Sequence, residues 1–261
     1  MAQRLVAVDM DGTFLDGQGN IPAAFWDLYP RLREAEIIFV PASGRQLATL
    51  RDLFQPLSPH LHFIAENGTV VAQGEQVLST TPMSADSVHS IIDAVKTSPS
   101  PMDLVICKPQ VGYVDHPDAA AEVGKYYHSV KTAEDLHSVV DDSVIKVAIY
   151  SERDAESYGA PRIREAAPQE HTVISGAHWI DVMSPQANKG RALAQLCETL
   201  GISPQNSLAF GDYLNDLELL QQAGTSYAMS NAHPLLKEQA DHIAPPNTEA
   251  GVITVLESLL A

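Results

Sequence analysis

Residues 5–17 read LVAVDMDGTFLDG, in which an apolar segment runs directly into two aspartates, Asp9 and Asp11. A short apolar run that ends at a glycine-containing turn is typical of a strand buried on both faces of a sheet. Two carboxylates one residue apart repel each other, and burial raises the cost of that repulsion. We therefore expect positive charge close to these two side chains.

Strands and helices alternate in the first stretch of the chain and again in the last. Short apolar strands separated by helices indicate βαβ units and a parallel sheet. The helix predicted over Ile21–Glu34 follows Asn20, a favourable cap, whereas Pro30 favours a kink or an early end. Near the end of the chain, a helix over Lys189–Leu200 and a strand over Ser207–Phe210 begin the same alternation. The other segments predicted in the first stretch are strands over Arg4–Met10, Ile37–Ala42 and His62–Glu66, a helix over Gln46–Phe54 and a hairpin over Thr69–Thr80.

The middle of the chain has a different pattern. Its predicted strands follow one another with tight turns, which suggests an antiparallel sheet that carries helices on one face. We therefore predict an α/β protein with a Rossmann-like parallel-sheet core, formed by residues 1–81 and 184–261, and an inserted α/β domain over residues 82–183. The segments predicted in the insert are strands over Asp103–Lys108, Val111–Asp115, Val144–Ser151, His171–Ser175 and His178–Met183 and helices over Ala85–Lys96, Ala119–Tyr127 and Ala155–Ala166.

The charge balance limits the partners of the chain. Its formal net charge is −17 and its pI is near 4.8, which argues against nucleic acid or an anionic membrane surface as a partner.

Its two cysteines, Cys107 and Cys197, lack metal-ligand spacing, and no apolar run reaches the length of a membrane span. We therefore expect a cytoplasmic protein, either a monomer or a small homo-oligomer.

Polar motifs follow three of the predicted parallel strands. These motifs are DMDGT (Asp9–Thr13), SGR (Ser43–Arg45) and GDYLND (Gly211–Asp216), and a fourth motif, NKG (Asn188–Gly190), opens a helix. Ligands of open α/β sheets bind outside the carboxyl ends of the strands. The four motifs are therefore expected to meet at one edge of the sheet.

The acidic residues of these motifs favour a hard metal ion. Asp9, Asp11, Asp212 and Asp216 form an oxygen-rich set without cysteine or histidine, which suits Mg²⁺. Mg²⁺ commonly takes one or two carboxylates together with water and a substrate phosphate. The set therefore predicts a magnesium site.

The remaining motif residues suit a phosphate group. Lys189 supplies a mobile positive charge, Ser43 a hydroxyl and Gly44 an unhindered backbone N–H. In an acidic protein, a local positive charge of this kind is needed to hold an anionic substrate. Together with the predicted metal, these residues indicate phosphoryl transfer.

Each motif also has an ordinary structural explanation. Asp9 and Asp11 can belong to a turn after a strand, Asp212 can cap a helix, and Asp216 can be a solvated acid in its first turn. Lys189 can be one of many exposed lysines. The four motifs in this order at predicted strand ends favour a shared site over four separate coincidences.

The motifs resemble those of the haloacid dehalogenase superfamily of phosphohydrolases. ENG (Glu66–Gly68) and MSNA (Met229–Ala232) further resemble its Cof-type branch, which includes many sugar phosphatases. The insert corresponds in position and size to the α/β cap domain of that branch. The resemblance implies a Mg²⁺-dependent phosphatase that acts on a small phosphorylated metabolite, with a phosphomutase or phosphotransferase and a non-catalytic binding module as the alternatives.

The resemblance also implies roles for the acidic residues. Asp9 would be the nucleophile that forms an aspartyl-phosphate, and Asp11 would be the general acid and base. The side chains of Asp9 and Asp212 and the backbone carbonyl of Asp11 would hold Mg²⁺, and Asp216 would support them.

Other residues would contact the substrate by the same resemblance. The residues expected to bind the phosphate are Ser43, Gly44, Lys189 and Asn215. Arg45 and Asn67 lie beside the motifs and either contact the substrate or serve as ordinary helix-start and turn residues. In the insert, Lys108, Tyr113 and His116 either contribute specificity contacts or are simply solvated.

Overall fold

A computed structural model describes residues 3–118, 129–174 and 177–260. These residues form two compact units, the first drawn from the ranges 1–45, 50–78 and 188–261 and the second from 46–49 and 79–187. The first unit is therefore discontinuous in sequence. Among the described residues, no helix has both the length and the apolar character needed to cross a membrane.

Fourteen strands lie in the described residues. They are β1 (Arg4–Asp9), β2 (Ile37–Ala42), β3 (His62–Ala65), β4 (Val70–Gln73), β5 (Gln76–Thr80), β6 (Met102–Lys108), β7 (Val111–Val114), β8 (Val130–Thr132), β9 (Lys146–Ser151), β10 (His171–Ile174), β11 (Trp179–Met183), β12 (Ser207–Gly211), β13 (Thr225–Met229) and β14 (His242–Ala244). The α-helices described are α1 (Ala24–Glu34), α2 (Leu47–Leu53), α3 (Ala85–Lys96), α4 (Ala160–Ala166), α5 (Lys189–Leu200), α6 (Leu217–Gln222), α7 (Pro234–Gln239) and α8 (Gly251–Leu259).

The first unit is built on an eight-stranded sheet with the order β14-β13-β12-β1-β2-β3-β4-β5. The pairs from β14 to β3 are parallel, and β4 is antiparallel to β3. In β1, every residue from Leu5 to Asp9 is buried, as expected for a strand covered on both faces. Asp9 pairs with Ala42 of β2, and Val8 pairs with Phe210 of β12. The segments that follow these three strands therefore begin at the same edge of the sheet.

Aromatic packing anchors the loop that follows β1. The ring of Phe14 lies 5.0 Å from Phe25 of α1 and 5.1 Å from Phe39 of β2, measured between ring centroids. All three rings are almost completely buried. Because Phe14 follows the acidic motif directly, this contact fixes one end of the loop that carries Asp11.

The second unit has a six-stranded sheet with the order β10-β11-β9-β6-β7-β8. The pairs from β10 to β7 are antiparallel, and β8 is parallel to β7. Every second residue of the central strands contributes to one buried cluster with α3 and α4, as expected for a sheet covered by helices on that face. The cluster includes Leu104, Ile106, Val147, Ile149, Ile180, Val182, Val88, Ile91, Ile92, Val95 and Ile163.

The predicted α/β class and the parallel-sheet core are confirmed, and a few elements differ from the prediction. α1 begins at Ala24 rather than Ile21 and continues through Pro30 to Glu34, so the early end is wrong. Pro30 lacks only the N–H that would bond the Trp26 carbonyl, and both residues are exposed, so water can satisfy that carbonyl. The strand β8 was not expected from the sequence. The helix predicted over residues 119–127 and the strand end at residue 175 lie outside the described residues.

Candidate active site

The loop after β1 approaches the loop after β12 closely. Gly12 has a φ of +81°, and a Cβ atom at this position would lie 2.3 Å from Oδ2 of Asp212. The next residue, Thr13, donates its hydroxyl to Oδ1 of Asp212 at 2.9 Å. Glycine is required here both for its conformation and for the space it leaves. The two acidic loops are thus held together directly.

Lys189 lies at the start of α5 and is fully buried. Its Nζ atom donates to Oδ1 of Asp9 at 2.5 Å and to Oδ1 of Asp216 at 2.6 Å. The side chain of Asn188 caps the helix by accepting the backbone N–H of Arg191 at 2.7 Å. The alternative that Lys189 is one of many exposed lysines is therefore wrong, because two carboxylates bind this ammonium group in the interior.

Asp216 is fully buried, and both of its carboxylate oxygens accept hydrogen bonds. Oδ1 accepts from Lys189, and Oδ2 accepts the backbone N–H groups of Asp212 and Tyr213 at 3.0 and 3.2 Å. The explanation of Asp216 as a solvated first-turn acid is therefore wrong. Its contacts orient Lys189 and the Asp212 loop.

Asp9, Asp212, Asp216 and Lys189 form an acidic cluster with three carboxyl groups and one ammonium group. Burial raises the pKa of Asp9 well above its ordinary value, and the neighbouring Asp216 charge adds to this, while Lys189 opposes it. Burial also raises the pKa of Asp212, against the hydrogen bond from Thr13. For Lys189, burial alone would lower the pKa, but the charges of Asp216 and Asp9 raise it above its ordinary value.

These residues fit a divalent cation. One carboxylate oxygen each of Asp9, Asp212 and Asp216 lies within 4.8 Å of the others. The set consists only of hard oxygen donors, and a bound cation would favour the ionised form of these crowded carboxyl groups.

Asp11 faces a different cation from Asp9. The guanidinium of Arg45 binds both carboxylate oxygens of Asp11, with Nε–Oδ2 at 2.8 Å and Nη2–Oδ1 at 2.5 Å. The Asp11 side chain is 59% exposed, whereas Asp9 is buried. The two neighbouring aspartates of the sequence thus point into different environments, and each has its own positive partner.

The residues predicted to bind phosphate lie around a turn after β2. The buried hydroxyl of Ser43 accepts the backbone N–H of Arg45 at 3.1 Å. A Cβ atom on Gly44 would lie 3.0 Å from Oδ1 of Asn67, and this same oxygen accepts from Nδ2 of Asn215 at 3.2 Å. Asn67 therefore joins the turn after β2 to the motif after β12.

The three residues considered in the insert make contacts within the second unit. Lys108 forms an ion pair with Asp141 at 2.6 Å, and its ammonium lies 5.9 Å from the ring centre of Tyr113. His116 lies 3.2 Å from Asp103. A role of these side chains in specificity stays a prediction.

Thr13 and Asn231 also contact the acidic loops, although no role was predicted for either residue. Both residues stand inside motifs quoted for the family resemblance, so their motifs carried the available signal. Their partners, Asp212 and Gly12, are far away in the sequence.

A family model of haloacid dehalogenase-like hydrolases matches residues 6–256. The chain belongs to this family. The resemblance inferred from the motifs is confirmed.

Individual relatives agree with this assignment. The 5-amino-6-(5-phospho-D-ribitylamino)uracil phosphatase YbjI of Escherichia coli (strain K12) is 30% identical over 100% of this chain and 97% of its own length. The HMP-PP phosphatase of Cronobacter sakazakii is 28% identical over 92% of this chain and 89% of its own. A crystal structure from Eubacterium rectale matches with a TM-score of 0.88 at 30% identity, covering 98% of this chain and 99% of that chain. The protein is a phosphatase of the haloacid dehalogenase family.

Proposed function

We propose that this phosphatase hydrolyses small phosphate monoesters, sugar phosphates among them, with Mg²⁺ and through an aspartyl-phosphate on Asp9. One observation carries the proposal: buried Lys189 contacts Asp9 and Asp216 at the edge of the sheet, where Asp212 also lies. The ammonium holds Oδ1 of Asp9 and fixes the orientation of the carboxylate.

Asp9 and Asp11 divide the chemistry in this proposal. A carboxylate oxygen of Asp9 attacks phosphorus, the bond from phosphorus to the leaving oxygen breaks, and Asp11 gives its proton to that oxygen. Asp11 then takes a proton from a water molecule, which attacks phosphorus and breaks its bond to Asp9. Inorganic phosphate leaves, and Asp9 is restored.

Mg²⁺, when bound, would be held by the side chains of Asp9 and Asp212 and the backbone carbonyl of Asp11, and it would neutralise phosphate charge. Both carboxylate oxygens of Asp216 accept hydrogen bonds from protein donors, so we assign Asp216 a supporting role through Lys189 and the Asp212 backbone.

The remaining predicted residues would position the phosphate. We assign this role to Ser43, Gly44, Lys189 and Asn215. Arg45 holds Asp11 in this structure, and its planar guanidinium also suits a phosphate oxygen, so we propose that it exchanges one partner for the other.

We further propose that the second unit serves as the cap domain predicted over residues 82–183. The net charge of −17 supports a small-molecule partner over nucleic acid or an anionic membrane. The cytoplasmic location and the monomeric or small homo-oligomeric state stay predictions.

Phosphate release, with and without Mg²⁺, tests the proposal. The panel comprises ribose 5-phosphate, other sugar phosphates, an aryl phosphate and the two compounds named for the relatives. Asp9→Asn removes the nucleophile, and Asp27→Asn makes the same chemical change on the exposed surface of α1. We expect metal-dependent release by the wild type and Asp27→Asn and none by Asp9→Asn.

Three outcomes would contradict the proposal. They are phosphate release by Asp9→Asn at the wild-type rate, phosphate release that does not depend on Mg²⁺, and no phosphate release from any compound by the folded wild type. A phosphorylated product without phosphate release would instead support the phosphotransferase alternative.

A further inference from the structure

The segment Ser230–His233, which contains most of the MSNA motif, contacts both loops that carry the acidic residues. Nδ2 of Asn231 donates to the carbonyl of Gly12 at 2.8 Å. The backbone N–H of His233 donates to the carbonyl of Asp212 at 2.8 Å. The segment therefore joins the loop after β1 to the loop after β12.

The partners of Asn231 fix the orientation of its amide. Its Oδ1 accepts the backbone N–H of Asn247 at 3.2 Å, while its Nδ2 faces the Gly12 carbonyl. A backbone N–H only donates and a carbonyl only accepts, so the reversed amide would lose both hydrogen bonds.

The segment is itself held in place. The backbone N–H of Ser230 donates to the carbonyl of Ala244 at 2.9 Å, and the ammonium of Lys237 binds the Ser230 carbonyl. Asn247 also donates its side-chain amide to the carbonyl of Leu15 at 2.8 Å. Asn231 thus links the acidic loop to a fixed part of the first unit.

Gly12 is the residue of the loop after β1 that Asn231 contacts. It has a positive φ and lacks a side chain, so the backbone has more conformational freedom at Gly12 than at its neighbours Asp11 and Thr13. Thr13 holds one side of this peptide through Asp212, and Asn231 holds its carbonyl oxygen. Gly12 directly follows Asp11, so a shift of the Gly12 backbone would shift Asp11 with it.

We propose that Asn231 is a positioning residue that holds Asp11 in its working geometry by binding the Gly12 carbonyl. This inference rests on the proposed function. The hydrogen bond is exposed to solvent, so after its loss water can bind the Gly12 carbonyl with little cost in stability. Water cannot, however, restore the connection between the two loops. Loss of the amide should therefore affect kcat more than stability.

The test compares Asn231→Asp and Asn231→Ala with Asn206→Asp, which makes the same charge change at a turn before β12. Asp keeps the acceptor for Asn247 but, when ionised, cannot donate to the Gly12 carbonyl. We expect kcat of both Asn231 variants to fall by about 10- to 100-fold, with a smaller change in KM. Thermal unfolding midpoints should stay near that of Asn206→Asp.

The pH dependence distinguishes positioning from a general structural role. A protonated Asp carboxyl can donate to the Gly12 carbonyl, so the activity ratio of Asn231→Asp to wild type should rise as pH falls from about 7 to about 5. The ratio of Asn231→Ala to wild type should stay flat, because alanine cannot regain a donor.

The outcomes separate this inference from the proposed function. Wild-type kcat in both Asn231 variants, beside an active wild type, would overturn the inference and leave the proposed function standing. A flat pH ratio for Asn231→Asp would overturn it as well. An inactive wild type would contradict the proposed function and the inference with it.

Discussion

The two units of the molecule use lysine in different ways. Lys189 of the first unit is fully buried and lies 2.5 and 2.6 Å from two carboxylates. Lys108 of the second unit lies 2.6 Å from Asp141, which is 58% exposed. The distances are nearly equal, but the environments differ.

Burial makes the arrangement around Lys189 costly in free energy, whereas the ion pair of Lys108 with Asp141 costs little because it is exposed to solvent. Removing charges from water costs several kcal/mol per ion in proteins, so a buried ion pair is weak evidence that the pair exists for stability. An exposed pair typically contributes about 0–1 kcal/mol. We therefore infer that the buried cluster around Lys189 serves the proposed binding and catalysis, whereas the Lys108 pair is part of the surface.

Replacing Lys189 gives the largest expected effect. Lys189→Met leaves Asp9 and Asp216 buried without their shared cation, so the free energy of unfolding should fall by about 3–5 kcal/mol and phosphate release should be lost. Urea denaturation and phosphate assays measure the two effects. Lys96→Met, in an exposed pair on α3, is the control. Wild-type stability in Lys189→Met would remove the distinction between the two regions.

Alanine substitutions at two glycines of the first unit distinguish an effect on the site from an effect on backbone conformation. Gly12 and Gly19 have φ values of +81° and +80°, but a Cβ atom would meet Asp212 only at Gly12 and nothing within 4 Å at Gly19. Both alanine variants should lose about 1 kcal/mol or more of stability. Gly12→Ala should also lose about 100-fold in kcat because Asp212 must move. Equal activities of the two variants would argue against a precise Asp212 position.

The buried His62 of the first unit should make the stability of the protein depend on pH. Burial lowers the pKa of His62, so the unfolded state takes up its proton first as the pH falls. The contribution of neutral His62 to the free energy of unfolding is complete above the ordinary histidine pKa of about 6.5, and it is lost as the pH falls through the lower pKa of the folded state. Urea denaturation from neutral to acidic pH should show this loss in the wild type and less of it in His62→Leu. An unchanged pH dependence in the variant would assign the loss to other groups.

The smallest effect is expected in the second unit. The hydrogen bond from Lys108 is the main cause that lowers the pKa of Asp141 to about 2. Its stabilisation is present above the ordinary carboxyl pKa and is lost as the pH falls through about 2. Because Asp141 is largely exposed, Lys108→Met should cost no more than about 1 kcal/mol in urea denaturation at neutral pH. A loss as large as that of Lys189→Met would contradict the contrast between the units.

The sequence predicts the parts of the site that depend on strand ends. Apolar runs locate β1, β2 and β12, and parallel pairing then brings the residues after each strand to one edge. The contact between Lys189 and Asp9 agrees with that expectation. The helix predicted over Ala85–Lys96 likewise matches α3, and its buried residues Val88, Ile91, Ile92 and Val95 have the spacing of one helix face.

Side-chain partners that depend on loop conformation were not predictable. The pairing of Asp11 with Arg45 requires the loop after β1 to turn at Gly12, and periodicity carries no information about that turn. Nor does residue type show that Lys189 is buried, since lysine is normally exposed. The contact of Asn231 with Gly12 joins positions that only the complete sheet brings together.

Chemical trapping of the intermediate tests the central claim most directly. Asp11→Asn, which slows both proton transfers, would be mixed with substrate and Mg²⁺ and then treated with borohydride, which reduces an acyl phosphate to an alcohol. Peptide mass spectrometry would locate the change. We expect homoserine at position 9 only when substrate is present. Phosphate release with an unmodified Asp9, or reduction at another carboxylate, would contradict the assignment of Asp9 as the nucleophile.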